Sequence, residues 1–398
     1  MTDDMLRQKV MAPISTQELE RRWAAVRDRM AEHKVDFLVV HNHNDYLGGY
    51  VKWFTDEPAM HCYPISVIFP VDDEMTTVCH GSSDPALAGP PAWALRGVKK
   101  RMSTPVMHAL NYAATLDAEL IAAELAAYPN ARICTVNEDA MTAGFVRVLR
   151  KRLTSAEFVD ITDEIDLIKA IKSDEEIERI KENALLHDEA LAACFAAIEP
   201  GVREFEVAAA GRNKCLMLGS EQQIIFVASA PPGTPLPFNM PPRHEPAHRE
   251  GRPGRHTGRG QRCLGFLHAP VAHRLSRRHP GRAAASPRDR AGGPEPEPRT
   301  DPTRRRSRGN PQGQQRLPAE PRPAAGDPGV RPRPGYDMVE RPSFQPGETM
   351  KIAANMNIAV HPAASGKRAS AILTDNYIVT GTGVSECIHK TPKKVFSL

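Results

Sequence analysis

The sequence has no long apolar run and no paired cysteines. No stretch reaches the roughly 18 apolar residues that a membrane-spanning helix needs, and the first residues contain no apolar run of signal-peptide length. The seven cysteines are odd in number and none falls in a Cys-x-x-Cys motif, which argues against a disulfide framework. These absences predict a cytoplasmic protein without membrane contact, in which these cysteines are small core residues: Cys62, Cys79, Cys134, Cys194 and Cys215.

Residues 241–334 lack Ile, Met, Tyr, Trp and Lys altogether, and 51 of these 94 residues are Arg, Pro or Gly. The segment carries 21 arginines against five glutamates and three aspartates, so it is strongly basic within a chain whose net charge is only +4. It can bury almost no apolar surface, which predicts disorder. The arginine run at 304–308 lacks the interleaved aromatics and lysines of a nucleic-acid patch, so no nucleic-acid partner is predicted.

A shifted reading frame of a GC-rich gene would explain this composition. Regular sequence resumes abruptly at Gly335, and the codons of Pro332–Pro334, read one nucleotide later, can encode His-Gly-Gln. The same shift across Thr257–Arg262 permits Leu-Val-Glu-Asp-Asn, an alternating strand that ends in an acidic turn. We hypothesise that residues 241–334 are frame-shifted. Sequencing the coding DNA tests this hypothesis, because a gene with only one open reading frame across this segment would contradict it.

Up to residue 161 the sequence alternates between helical and strand patterns. The apolar residues between Gln17 and His33 recur on one face of an amphipathic helix. Two alternating runs separated by Val71–Asp73 predict a β-hairpin. The full order is helix 17–33, strand 36–41, hairpin strands 63–70 and 74–80, helix 116–128, strand 132–137, helix 140–153 and strand 157–161. This alternation predicts an α/β first domain that ends near Thr162.

A long helix opens the second part of the chain. Ser173 and Glu176 have the spacing of a capping box, and apolar residues then recur at steps of three and four as far as Ile198. Pro200 and Gly201 end this helix. A second helix is predicted from Glu204 to Gly219, followed by a strand at 223–228. The C-terminal part predicts strands at 349–359 and 371–380.

The phrases at Ile168–Ile180 and Ile198–Glu204, with a histidine after a proline-rich turn, resemble the creatinase, aminopeptidase P and prolidase superfamily. The resemblance covers residues 16–244 and 335–398. It implies an N-terminal domain of residues 1–161 and an α+β catalytic domain of the pita-bread fold at residues 162–398, interrupted by residues 241–334. It also implies a homodimer that acts on a small-molecule substrate.

The resemblance places His244 at the catalytic histidine of the superfamily, where an imidazole that titrates near neutral pH would carry protons. Glu340 and His361 would assist His244. The alternatives are a loop histidine for His244, a buried core histidine for His361 and a salt bridge with Arg341 for Glu340. Three further residues would line the substrate pocket: Tyr336, Asp337 and Arg341.

A dinuclear metal site is poorly supported by the residues at the expected ligand positions. Hard divalent cations require bridging carboxylates, whereas His361 stands where the metallopeptidases have one glutamate. Thr374 matches the other glutamate better than Asp375 does, which leaves Asp375 as a weak metal candidate. The other three ligand positions fall inside residues 241–334.

The residues therefore favour a creatinase-like enzyme without a cofactor, a hydrolase or lyase of a small polar molecule. The first alternative is a Xaa-Pro dipeptidase or aminopeptidase that depends on Mn, Fe, Co or Zn. The second alternative is an inactive product of the frame shift.

Overall fold

The computed structural model describes much of the chain, with gaps. The described ranges are 13–42, 49–57, 63–81, 95–105, 110, 114–221, 223–230, 255–262, 266–268, 273–274, 336, 340–343, 345–360, 363–365, 370–372 and 374–393. The chain divides into two units, Met1–Leu275 with Pro328–Leu398 and Ser276–Asp327, and every described residue belongs to the first unit. Within the described ranges, no helix has the length and apolar character of a bilayer span.

A mixed sheet forms the centre of the N-terminal part. Its described strands are β1 (Phe37–Asn42), β2 (Ile65–Pro70), β3 (Met75–His80), β4 (Val98–Thr104), β5 (Arg132–Thr135) and β6 (Glu157–Val159). They lie side by side in the order β4-β3-β2-β1-β5-β6. The β1–β2 and β2–β3 pairs are antiparallel, which confirms the predicted hairpin, and the remaining pairs are parallel.

Helices cover both faces of this sheet. They are α1 (Thr16–Glu32), α2 (Tyr50–Thr55), α3 (Leu116–Leu125), α4 (Ala143–Arg152) and α5 (Thr162–Ala170). Successive side chains of a strand point to opposite faces, so β1 contributes side chains to two hydrophobic cores, one on each face of the sheet. Leu38 packs with residues of α1, α2 and α5, whereas Val39 packs with residues of α3 and α4. The predicted α/β domain is confirmed.

Two helices and a strand form the next layer. Helix α6 (Asp174–Ala196) begins with the predicted capping box, in which Ser173 Oγ accepts from Glu176 N–H while the Glu176 carboxylate accepts from Ser173 N–H. Helix α7 (Glu204–Met217) follows, and strand β7 (Gln223–Ala230) comes next. Their contact is apolar and includes Cys194, Val207 and Ile225. Helix–helix–strand is therefore the observed order, as predicted.

Three strands lie within residues 241–334: β8 (Arg255–Arg262), β9 (Phe266–His268) and β10 (His273–Arg274). Strand β8 pairs antiparallel with β7 over eight residue pairs. The hydrogen bonds of a β-ladder form between backbone N–H and C=O groups, whatever the side chains are. A sequence without an apolar pattern can therefore still add a strand to a sheet. The other residues of this segment, for which disorder is predicted, lie outside the described ranges.

The C-terminal part adds β11 (Asn357–Val360), β12 (Ala363–Ser365), β13 (Ser370–Ile372), β14 (Asp375–Thr380) and β15 (Gly383–Val384). Strands β11, β14 and β15 form one sheet, and β12 pairs with β13. The strand predicted at 349–359 is wrong up to residue 356. Asn355 has a left-handed φ of 65°, which departs from regular strand geometry, and the strand begins at Asn357.

Candidate functional site

Glu340 is buried between two lysines at the junction of α5 and α6. Its Oε1 lies 3.0 Å from Lys169 Nζ and its Oε2 lies 2.9 Å from Lys172 Nζ. The side chains of all three residues are at most 7% exposed. Both carboxylate oxygens face ammonium groups, so the arrangement holds Glu340 as an anion. It ties Glu340 to Lys169 in α5 and to Lys172 just beyond the end of that helix.

The lysines determine the protonation state of Glu340. Burial by itself raises the pKa, but Lys169 and Lys172 outweigh this effect and lower the pKa of Glu340 to about 2. A carboxylate that stays ionised near neutral pH donates no proton there. Assistance of Glu340 in catalysis therefore stays a prediction, and these ion pairs work against it.

Tyr336 connects Glu340 to the N-terminal part. Its backbone N–H donates to Glu340 Oε1 at 2.5 Å, and its hydroxyl accepts from Arg22 Nη2 at 2.8 Å. The Arg22 guanidinium lies 5.3 Å from the centre of the Tyr336 ring. A Cβ at Gly49 would lie 2.4 Å from the Tyr336 carbonyl oxygen, so only glycine permits this close approach. The predicted contact of Tyr336 with substrate stays untested.

Arg22 is the centre of a buried ionic cluster. It is fully buried on α1, and its Nε donates to Glu18 Oε1 at 2.7 Å while its Nη2 lies 3.1 Å from Glu176 Oε1. It also donates to the Trp53 carbonyl at 2.9 Å. Burial lowers the pKa of Arg22, but the surrounding oxygens raise it further than burial lowers it. One cation thus joins α1, α2 and α6.

Arg341 forms ion pairs near the surface. Its Nη2 donates to Glu348 Oε1 at 2.8 Å, and its Nη1 donates to Asp163 Oδ1 at the start of α5. The Arg341 side chain is 26% exposed. This geometry ties the C-terminal part to α5, and the predicted contact of Arg341 with substrate stays a prediction.

Asp375, the weak metal candidate, is paired with a lysine. Its side chain is 7% exposed, and its Oδ2 lies 2.7 Å from Lys393 Nζ. Burial lowers the pKa of Lys393, but the hydrogen bonds to Asp375 and Tyr377 reverse this and raise it. Thr374, its neighbour, is fully buried. An ammonium group thus neutralises the carboxylate that a cation would need.

The described residues do not fit a dinuclear metal centre. In the part of the chain that the structure describes, no three His, Cys, Asp or Glu side chains are grouped so that they could hold a metal ion. The carboxylates of Glu340 and Asp375 face lysines, and a hydroxyl such as that of Thr374 does not bridge two cations as a carboxylate does. His244, Asp337 and His361 lie outside the described residues.

Sequence reasoning found Glu340 and Tyr336 but missed their partners. Lys169 and Lys172 stand in the phrase at Ile168–Ile180 that carries the family resemblance, and the spacing of three puts them near one another at the end of α5. Arg22 lies in the predicted amphipathic helix 17–33, where a charged residue is ordinarily exposed to solvent, yet it is fully buried. No local signal distinguishes it from exposed Arg21, because its partners are up to 314 residues away.

Residues 22–171 match the creatinase/prolidase N-terminal domain family. This range contains the six-stranded sheet described above and ends at the junction of α5 and α6. No curated protein sequence is significantly similar to the chain.

Solved structures of similar fold cover nearly the whole chain. A Xaa-Pro dipeptidase from Bacillus anthracis aligns at a TM-score of 0.61 and 14% identity over 96% of this chain and 100% of that one. A prolidase from Pyrococcus horikoshii aligns at 0.61 and 12%, over 94% and 100%. An X-Pro aminopeptidase from Thermotoga maritima aligns at 0.61 and 11%, over 94% and 99%. Residues 22–171 therefore resemble a creatinase/prolidase N-terminal domain, and the chain shares the fold of these peptidase structures.

Proposed function

We propose that this protein cleaves a small polar substrate, by hydrolysis or elimination, through acid–base catalysis by His244 assisted by His361 and without a metal pair. One observation supports the proposal that catalysis needs no metal pair. The buried carboxylates of Glu340 and Asp375 are both neutralised by lysines, whereas a divalent cation would need such carboxylates free. The fold supports the hydrolytic or lytic part by analogy.

In this proposal the imidazole of His244 takes a proton from water or substrate and returns it to the leaving group. A histidine suits both steps because its ordinary pKa lies near neutral pH. Glu340 is held as an anion by its lysines, so it does not transfer the proton. Its pairs with Lys169 and Lys172 fix the residues after position 335 against α5, so Glu340 is a positioning residue.

The experiment combines elemental analysis with an activity screen of the purified chain. We expect cleavage of a creatine-like or related small amide, unaffected by a chelator, with no stoichiometric Mn, Fe, Co or Zn. His244→Ala should lower the rate about 10²–10⁴-fold, whereas His33→Ala, at an exposed position, should leave it unchanged. An equal loss in both variants would contradict the assignment. Sedimentation velocity of the same preparation tests the implied homodimer.

A metal-dependent Xaa-Pro peptidase is the second candidate. It is favoured by the structural neighbours, several of which are named as Xaa-Pro dipeptidases, prolidases or X-Pro aminopeptidases. Cleavage of Xaa-Pro dipeptides that is lost on chelation and restored by Mn would establish this function and overturn the metal-free one. A folded chain without activity on any of these substrates would support the inactive product.

A further inference from the structure

The C-terminal part, residues 336–393, contacts the N-terminal part, residues 13–230, through described residues alone. The first contact is ionic. Glu340 pairs with Lys169 and Lys172, and the hydroxyl of Tyr336 accepts from Arg22. These side chains are distant in sequence, so they can meet only when the two parts are docked.

The second contact is apolar and spans two clusters. Met356 and Ile358 pack on Ala170 with Val379. Ile378 and Ile388 pack on α6 against Ile180 and Ala184. Most of these side chains are less than 9% exposed, and the burial of such side chains supplies non-directional free energy of association.

The third contact consists of hydrogen bonds and a β-bridge between the backbone of the C-terminal part and residues of, or just before, α6. The Asp188 carboxylate on α6 accepts from the backbone N–H of Lys390 at 2.7 Å and from that of Thr391 at 3.0 Å. Lys172 N–H donates to the Asn355 carbonyl at 3.0 Å, and Ile171 forms a β-bridge with Met356. These bonds fix the register of the C-terminal part on α5 and α6.

We propose that residues 13–230 carry a docking face for residues 336–393, and that the two parts stay associated when the connection through residues 241–334 is cut. The three contacts combine apolar burial, buried ion pairs and backbone hydrogen bonds, which are the components of a specific interface. A covalent connection adds only an effective concentration to such a contact. This inference does not depend on catalytic activity.

The test uses the full chain with a recognition sequence for a site-specific protease inserted between Pro294 and Glu295. After cleavage, we expect both fragments to co-elute in size-exclusion chromatography at micromolar concentration, with an unchanged circular dichroism spectrum. Release of the C-terminal fragment would overturn the proposal. Resistance of the folded chain to the protease would also overturn it, because the connection would then be part of the folded body.

Matched variants in the cut protein test the ionic contact. Glu340→Gln should speed dissociation of the C-terminal fragment at least about tenfold, because it leaves two buried ammonium groups without their carboxylate. Glu386→Gln is the control, since Glu386 is an exposed carboxylate of the C-terminal part. Asp188→Asn supplies a second variant should Glu340→Gln fail to fold, and it should also speed dissociation. Equal rates in the variants and the control would contradict the docking face.

Discussion

The N-terminal sheet and the docked C-terminal part are stabilised by different interactions. The sheet is covered on both faces by large apolar clusters, whereas the C-terminal part packs through two clusters of four buried residues each and through buried ion pairs. Apolar burial is non-directional and tolerates conservative change. A buried ion pair requires both partners, so a single substitution there leaves an unpaired charge. The two regions should therefore respond differently to mutation, salt and pH.

The largest effect should come from Arg22→Met. The substitution leaves Glu18 and Glu176 buried without their cation, so the free energy of unfolding should fall by about 3–5 kcal/mol. Urea denaturation measures this loss. Arg21→Met is the control, because Arg21 pairs with the same Glu18 but is 43% exposed, and it should cost at most about 1 kcal/mol. Similar losses in both variants would show that burial of the pair is unimportant.

In the apolar region, Leu38→Ala should lower the free energy of unfolding by about 3–4 kcal/mol, because it opens a cavity in the sheet core. Leu38 is fully buried, whereas Ile352 is 50% exposed, so Ile352→Ala should cost far less. The loss at Leu38 should be the same at low and high salt in urea denaturation, since no charge is involved. A salt-dependent loss would contradict the division into an apolar and an ionic region.

Glu340 should make the free energy of unfolding depend on pH in the acid range. Its pKa falls from 4.5 to about 2 on folding, so its ion pairs stabilise the fold above the unfolded pKa and this stabilisation is lost as pH falls from about 5 to 2. At pH 7 the contribution is up to about 3 kcal/mol.

The difference in unfolding free energy between the unaltered chain and Glu340→Gln measures this contribution. It should be large at pH 7 and shrink towards pH 2, because the unfolded chain takes up a proton first and the Glu340 carboxylate of the folded chain is protonated only near its pKa of about 2. A difference that is constant with pH would show that the carboxylate is not held ionised by the lysines.

The smallest effect should be at the start of α6. Ser173→Ala removes the hydroxyl that accepts from Glu176 N–H and should cost about 1 kcal/mol. Thermal unfolding resolves a change of this size when Ser155→Ala, at an exposed turn position, is measured beside it. An unchanged melting temperature for Ser173→Ala would mean that packing alone positions the start of α6.

Sequence periodicity predicted the longer elements but not the short ones. Helix α6 has many repeats of its apolar pattern, and its cap uses neighbouring residues. Helix α2 has six residues, all buried, so its stability comes from tertiary packing that no local pattern records. Strand β4 was also missed, because Lys99, Lys100 and Arg101 are exposed at the edge of the sheet and read as a polar loop.

The sequence named Glu340 as a candidate site residue, which stays a prediction, but did not indicate the environment of its side chain. The residue types around Glu340 suggested a carboxylate near a substrate pocket, whereas its partners Lys169 and Lys172 stand 171 and 168 positions earlier in the chain. Pairing over such distances depends on how the docked parts meet, which a local motif does not encode. The same holds for Asp375, whose partner Lys393 stands 18 positions later in the chain.

The link between Lys172 and Glu340 has a consequence for motion. Lys172 Nζ also donates to the Lys169 carbonyl at the end of α5, at 2.7 Å. One ammonium group therefore stabilises the bend between α5 and α6. Moving α5 relative to Lys172 would break at least one of the two ion pairs of Glu340, which costs free energy because it leaves a buried charge unpaired. The bend between α5 and α6 should therefore behave as a rigid element.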